Sequence, residues 1–246
     1  HPDSTFDKVT LFKSWTINDV IGHLHMFDVA ALKTLESGEA FESFFAPIME
    51  RLGQGMSLLE TQYPYLGNLT GRALFEKWRE TSEILGQAYA QADPKQRVKW
   101  AGPEMSAISS ITARQMETWA HGQEVFDVLA MYRQEGDRIK NICHLGAATF
   151  GWTFINRKLP VPEIPPFVSL TSPTGTNWEW NAPGSTSHIT GQAIEFAQVV
   201  TQVRNIADTS LKMSGKAAID WMAMAQCFAG KPENPPAKGS RFMHRA

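Results

Sequence analysis

Apolar residues recur at three- and four-residue steps through the first two thirds of the chain, which is the pattern of one-sided helices. The clearest run predicts a helix over residues 16–36, capped near Thr16 and ended near Gly38. Four further helices are predicted at 41–62 (bent at Pro47), 70–92, 106–134 and 137–158. The sequence therefore predicts that the chain begins as a bundle of helices.

After residue 159 the pattern changes, because six prolines fall between residues 160 and 184. Two short alternating runs, Phe167–Leu170 and Asn177–Trp180, predict a β-hairpin. Two helices are then predicted at 190–212 and 215–228. We therefore expect a mainly α protein with a helical bundle over 1–159 and a small α+β domain over 160–246.

Composition narrows the class of protein. The 246 residues are 43% hydrophobic and carry a net charge of -2 without any basic block, which argues against a nucleic-acid partner. No apolar stretch reaches the roughly 18 residues that a membrane span needs, and no signal peptide opens the chain. The two cysteines, Cys143 and Cys227, lie far apart and outside any CxxC pattern. We therefore expect a cytoplasmic protein without disulfides or a membrane segment.

Glu117 and His121 stand four residues apart in the longest predicted helix. That step places a carboxylate and an imidazole on one face, where both can reach one metal ion. The same spacing is common in helices, where it also serves as a solvated or helix-stabilising pair. Met116 and Trp119 beside them indicate a buried helix, and unpaired charge is costly there. This burial favours a ligand role.

His23 lies on the apolar side of the first predicted helix, beside Val20 and Leu24. A lone histidine in such a place is equally typical of a satisfied core residue. His25 projects from a different face, about 200° around the helix, so the two histidines do not serve one inward site. Of the two, His23 is the better candidate for a ligand.

Two segments carry a family resemblance. Trp15–Leu24 resembles the WTxxDVxxHL motif of the mycothiol-dependent maleylpyruvate isomerase family, and Arg114–Gln123 resembles its RxMETWxHGQ motif. The resemblance implies a DinB-like four-helix bundle followed by a small α+β C-terminal domain. It also implies that the bundle holds a divalent metal through His23, Glu117 and His121. Zinc is the first choice, and nickel or iron also accept such ligands.

The family normally has a helix before the first motif. Here only residues 1–14 precede that motif, and the sequence opens at His1 without a methionine. We therefore expect either another element to complete the bundle or a segment upstream of the given sequence.

The resemblance also implies a reaction, in which the metal activates a low-molecular-weight thiol for isomerisation or transfer on a small anionic substrate. Neither cysteine lies in a metal motif, so the thiol is expected from a cofactor. Arg204 and, less strongly, Arg114 are candidates to hold a substrate carboxylate, and both also fit ordinary surface arginines. Asp19 and Glu124 are candidates to orient the ligand histidines.

Two other functions use the same three ligands. One is a hydrolase or hydratase in which the metal activates water, and the other is a non-catalytic metal- or small-ligand-binding module.

Overall fold

The structure, a computed structural model, describes residues 2–241. The chain forms two compact units, residues 1–121 and 122–246. The domain boundary predicted at residue 159 was based on the change of sequence pattern there, whereas these units are defined by their compactness. That boundary stays a prediction. Among the described residues no helix combines the length and apolar character needed to cross a bilayer.

The first unit is a bundle of helices. A 3₁₀ turn at Asp3–Asp7 precedes it, and a two-stranded hairpin lies between its last two helices. The elements are α1 Ile17–Glu36, α2 Gly38–Gly53, α3 Leu58–Leu66, α4 Gly71–Gln91, β1 Arg97–Trp100, β2 Gly102–Ser106 and α5 Ala107–Val128, which continues into the second unit.

Helix α1 begins at a reciprocal cap. The Thr16 hydroxyl accepts a hydrogen bond from the Asp19 backbone N–H at 3.1 Å, and the Asp19 carboxylate accepts one from the Thr16 N–H at 2.9 Å. A Cβ on Gly22 would lie 2.6 Å from the Leu66 side chain, so α3 approaches α1 closely there. The predicted helix over 16–36 is therefore confirmed to within one residue.

One prediction in the first unit is wrong. The helix predicted over 41–62 is two helices, because Gly55 adopts φ +92° and Ser57 starts α3 with its own capping box. Pro47 lies inside α2 without ending it. The region around Gly102 belongs to the β1–β2 hairpin, which the sequence interpretation missed.

The helix predicted over 106–134 also differs from the structure. Helix α5 ends at Val128 rather than near residue 134, and Ala130 just beyond it adopts a left-handed φ of +51°.

The second unit combines short helices with a four-stranded sheet. Strand β3 pairs antiparallel with β4 and parallel with β5, and β5 pairs antiparallel with β6, which gives the order β4-β3-β5-β6. The elements are α6 Lys140–Ala148, α7 Phe150–Asn156, β3 Phe167–Thr171, β4 Asn177–Trp180, β5 His188–Gln192, α8 Ala193–Val200, β6 Lys212–Ser214 and α9 Lys216–Met222.

The predicted hairpin is confirmed as β3 and β4, but the helix predicted over 190–212 is wrong. That span contains the end of β5, then α8, a 3₁₀ turn and the start of β6. Gly191 sits at φ +144° with Leu211 against it, a backbone geometry that suits the strand and excludes a helix. The helices predicted over 137–158 and 215–228 are likewise shorter, as α6 with α7 and as α9.

Candidate metal centre

Three side chains of the first unit converge at one point between two helices. Helix α1 supplies His23, and α5 supplies Glu117 and His121 one turn apart on one face. The side chains of His23 and His121 are 8% and 10% exposed, while that of Glu117 is 27% exposed. Solvent therefore reaches the cluster mainly at the carboxylate. The predicted grouping of these three residues agrees with this arrangement.

The spacing of the three donors is that of ligands around one ion. The Nε2 atoms of His23 and His121 each lie 3.5 Å from Oε2 of Glu117, and all three donors lie within 4.8 Å of one another. Ligand atoms about 2.1 Å from a tetrahedral zinc ion lie about 3.4 Å apart. Both histidine–carboxylate distances match that value.

The charges of the cluster also suit a cation. Burial lowers the pKa of His23 to about 4, so its imidazole is neutral near pH 7, which is the form that binds metals. Burial alone would raise the pKa of Glu117, but the hydrogen bonds to His121 and His23 lower it well below 4.5. His23 Nδ1 is buried without a hydrogen-bond partner among the described residues. This donor set therefore fits a divalent ion.

Aromatic rings surround the two histidines. The ring of Trp15 lies 5.4 Å from that of His23 and stacks at 6.0 Å on that of His121. Phe12 meets His121 edge-on at 5.1 Å, and Phe27 lies 4.8 Å from His23. These apolar walls exclude water from the imidazoles, which strengthens electrostatic interactions at the site.

Asp19 does not orient His23. One carboxylate oxygen of Asp19 caps α1, and the other accepts a hydrogen bond from the Tyr63 hydroxyl at 3.0 Å. The prediction of an orienting role for Asp19 is therefore wrong, because its acceptors serve the helix cap and α3. Glu124 forms an ion pair with Arg241 at 3.7 Å, and its predicted role beside His121 stays a prediction.

Arg114 is held in a buried ion pair. Its Nε and Nη2 atoms lie 3.0 and 2.9 Å from Oδ1 of Asp28, and the two side chains are 3% and 2% exposed. The Trp78 indole N–H donates to the other oxygen of Asp28 at 3.1 Å. Burial raises the pKa of Asp28, and the Arg114 charge opposes that rise. These contacts favour an internal role over substrate binding, and the substrate role of Arg114 stays a prediction.

Arg204 lies in the second unit, in the segment after α8. Its two terminal nitrogens each donate to one oxygen of Asp127 at 2.7 Å, and the residue is 6% exposed. This is the bidentate fork that arginine forms with carboxylates. The predicted contact of Arg204 with a substrate carboxylate stays a prediction.

Sequence reasoning missed Asp28 and Trp78. Asp28 lies four residues after Leu24, on the buried side of α1, and an acidic residue in an apolar stripe is the signal that points to a buried partner. The partner itself, 86 residues away, leaves no local trace in the sequence.

The two cysteines are unsuited to reaction as they stand. Both are buried, and burial raises the pKa of the Cys143 thiol to about 12. The Cys143 thiol donates to the Ala193 carbonyl at 3.4 Å. A thiolate is the reactive form, so Cys143 is inert near neutral pH.

Comparison with known proteins identifies the family of this chain. Residues 2–126 match the family described as mycothiol maleylpyruvate isomerase N-terminal domain. An uncharacterized protein from each of two Mycobacterium tuberculosis strains is 34% identical over 226 residues, covering 92% of this chain and 85% of the relative.

Solved structures show the same fold at lower identity. A crystal structure of the mycothiol-dependent maleylpyruvate isomerase matches with a TM-score of 0.51 and 17% identity, over 81% of this chain and 79% of that one. A mutant of that enzyme matches with a TM-score of 0.50 and 16% identity over the same shares. The family match over residues 2–126 carries the assignment: this chain belongs to the mycothiol-dependent maleylpyruvate isomerase family.

Proposed function

We propose that this protein is a metal-dependent enzyme that uses a low-molecular-weight thiol to isomerise, or transfer a group to, a small anionic substrate. The observation that carries the proposal is the buried convergence of His23, Glu117 and His121 at ligand spacing. Family membership supports the thiol, because the related structures are of a mycothiol-dependent isomerase.

Each of the three residues has a separate part in this proposal. His23 and His121 would offer nitrogen lone pairs, and Glu117 would offer the negative charge that offsets part of the charge of the ion. A divalent ion held by only three protein ligands keeps an open position and lowers the pKa of a thiol that reaches it. The partly exposed Glu117 marks the side from which a thiol and a substrate would enter.

The thiol must come from outside the chain. Cys143 is buried with a pKa of about 12, and Cys227 is also buried. A cofactor thiol such as mycothiol would arrive from solvent, so neither burial nor a raised pKa would prevent its reaction. If no cysteine of the chain acts as the nucleophile, the imidazoles need not act as its bases and would serve as metal ligands.

Arg204 stays our candidate for the carboxylate of the substrate. Its guanidinium already forms two parallel hydrogen bonds to the carboxylate of Asp127, which is the geometry by which arginine recognises a carboxylate. In this proposal a substrate carboxylate would replace or share the place of Asp127. Arg204→Lys would keep the charge but lose the fork, so we expect a raised KM with unchanged metal content.

Turnover of maleylpyruvate tests the proposal. The zinc-loaded protein is assayed for cis–trans isomerisation with mycothiol, without it, and after a chelator has removed the metal. Turnover that needs both metal and thiol supports the proposal, and Glu117→Gln, which is isosteric but uncharged, should abolish it.

The remaining outcomes of the assay separate the alternatives. A hydrated or hydrolysed product, formed with metal but without thiol, would instead assign the protein to the hydratases or hydrolases. Stoichiometric metal binding without turnover, tested on maleylpyruvate and on other small cis-dicarboxylates, would indicate a binding module and overturn the enzymatic proposal.

A further inference from the structure

We propose that Arg114 and Asp28 form a positioning pair that sets the register of α1 against α5, so that His23 meets Glu117 and His121. The inference rests on the metal centre proposed above and adds two residues that touch neither metal nor substrate. It assigns Arg114 a role different from the substrate contact that the sequence analysis predicted.

The pair joins the two helices that carry the ligands. Asp28 belongs to α1, five residues after His23, and Arg114 belongs to α5, one turn before Glu117. The guanidinium contacts Asp28 Oδ1 through two nitrogens at 2.9 and 3.0 Å. Two contacts to one oxygen restrain both the distance and the angle between the helices, which a single bond would not do.

Two further contacts lead from the pair to His23. Arg114 Nη2 donates to the backbone carbonyl of Leu24, the residue after His23, at 3.3 Å. The Arg114 guanidinium also lies 5.9 Å from the ring of Phe27, and that ring lies 4.8 Å from the imidazole of His23. A change at Arg114 therefore reaches His23 through the backbone and through a packed ring.

Stability alone does not account for such a pair. Taking both charges out of water is costly, and well-packed apolar residues of similar volume often replace buried ion pairs without loss of stability. What apolar residues cannot supply is a fixed register, because dispersion contacts tolerate small sliding movements of helices. Metal binding is sensitive to such movements, since supporting residues around metal ligands typically contribute about 10–100-fold to affinity.

The test compares zinc affinity in four full-length proteins. These are the wild type, the apolar double variant Arg114→Met/Asp28→Leu, the charge-conserving Arg114→Lys, and the control Tyr89→Phe. The control removes a buried hydroxyl that donates to the Ala31 carbonyl of α1 at 3.1 Å and lies 2.9 Å from the Ser110 hydroxyl of α5. It therefore breaks a buried link between the same two helices, farther from the ligands.

Zinc binding is measured by competition with a chromogenic chelator, and ligand geometry by the visible absorption of the cobalt-substituted proteins. We expect the double variant to bind zinc about 10–100-fold more weakly and to give an altered cobalt spectrum, while it still unfolds cooperatively in urea. Tyr89→Phe should unfold at lower urea but keep zinc affinity within about twofold. A pair that acts through stability alone would not change the cobalt spectrum.

Zinc affinity and a cobalt spectrum equal to the wild type in the double variant would overturn the inference. If that variant does not fold, Arg114→Lys decides, because it keeps the charge and loses the double contact. Unchanged affinity there overturns the inference, and weaker binding supports it. Absence of zinc binding by the wild type would instead overturn the metal centre itself, which separates failure of the proposed function from failure of the pair.

Discussion

Two buried polar clusters lie on α1 and α5 of the first unit, about one helical turn apart. One contains His23, Glu117 and His121, and the other contains Arg114 and Asp28 with the Trp78 indole of α4. In the second cluster each charge faces an opposite charge at 2.9 Å. In the first, His23 is neutral near pH 7 beside the ionised carboxylate of Glu117, and His23 Nδ1 has no hydrogen-bond partner among the described residues.

This difference is the one expected between a structural cluster and a proposed binding site. A buried group whose charge is balanced by the chain needs nothing from solution, whereas a buried group that is not balanced costs free energy until a ligand arrives. Both clusters lie on α1 and α5, but the Glu117 side chain is 27% exposed, whereas those of Arg114 and Asp28 are 3% and 2% exposed. The clusters also differ in polar contacts, because Arg114 and Asp28 pair with each other while His23 Nδ1 has no hydrogen-bond partner among the described residues. The following predictions test this difference.

The largest effect is expected from removing two of the three proposed ligands in the first cluster. The variant Glu117→Ala/His121→Ala should lose nearly all of its bound metal, because one imidazole cannot hold a divalent ion alone. Elemental analysis should give about one ion per wild-type chain and almost none for the variant. His25→Gln is the matched control, since His25 is also a buried histidine of α1 but faces Tyr65. Near-stoichiometric metal in the double variant would rule out these ligands.

In the second cluster, the largest effect should follow from removing one partner only. Asp28→Ala leaves the Arg114 charge buried and unpaired, so we expect a loss of about 3–5 kcal/mol in the free energy of unfolding. Urea denaturation of the metal-stripped protein measures it. The double variant Arg114→Met/Asp28→Leu should recover most of that loss. If Asp28→Ala were as stable as the wild type, the balance of charge described above would not exist.

The first cluster should make the metal-stripped protein sensitive to acid. The pKa of His23 is about 4 when folded and about 6.5 when unfolded, so the unfolded chain binds the extra proton between these values. The stabilisation that this difference gives the folded protein is complete above pH 6.5. As the pH falls towards 4, roughly 3 kcal/mol of the free energy of unfolding is lost. Urea midpoints between pH 7 and pH 4.5 measure this slope, and His23→Leu should flatten it. An equal slope in both proteins would contradict the burial of a neutral His23.

The smallest effect should come from Trp78→Phe. This change removes the indole hydrogen bond to Asp28 at 3.1 Å and leaves Arg114 in place, so we expect a loss of about 1–2 kcal/mol in unfolding free energy. Metal content should not change. A loss as large as that of Asp28→Ala would mean that the indole, rather than the arginine, balances the carboxylate.

Local signals explain which elements could be predicted from the sequence. Helix α1 was predicted to within one residue because Thr16 and Asp19 cap it and its apolar face is continuous. The grouping of His23, Glu117 and His121 was predicted because two motifs, each on a helix, match a family pattern together. In contrast, Asp28 and Arg114 meet across 86 residues of sequence, and only the packing of the bundle brings them together.

The C-terminal region was predicted less well because its strands are short. Strand β5 has five residues and β6 has three, so neither shows a sustained alternation of apolar and polar positions. The buried residues Phe196 and Val200 of α8 follow the buried Ile189 of β5 along the chain. Apolar residues therefore recur at three- or four-residue steps across both elements, a pattern that resembles one long helix.

The burial of both cysteines has a practical consequence for assays. A thiol with a pKa of about 12 reacts very slowly with disulfide dyes near pH 7, and Cys227 is only 5% exposed. The native protein should therefore contribute little colour of its own when such a dye is present. Consumption or release of an added thiol can then be followed continuously in the same cuvette, without first removing the protein.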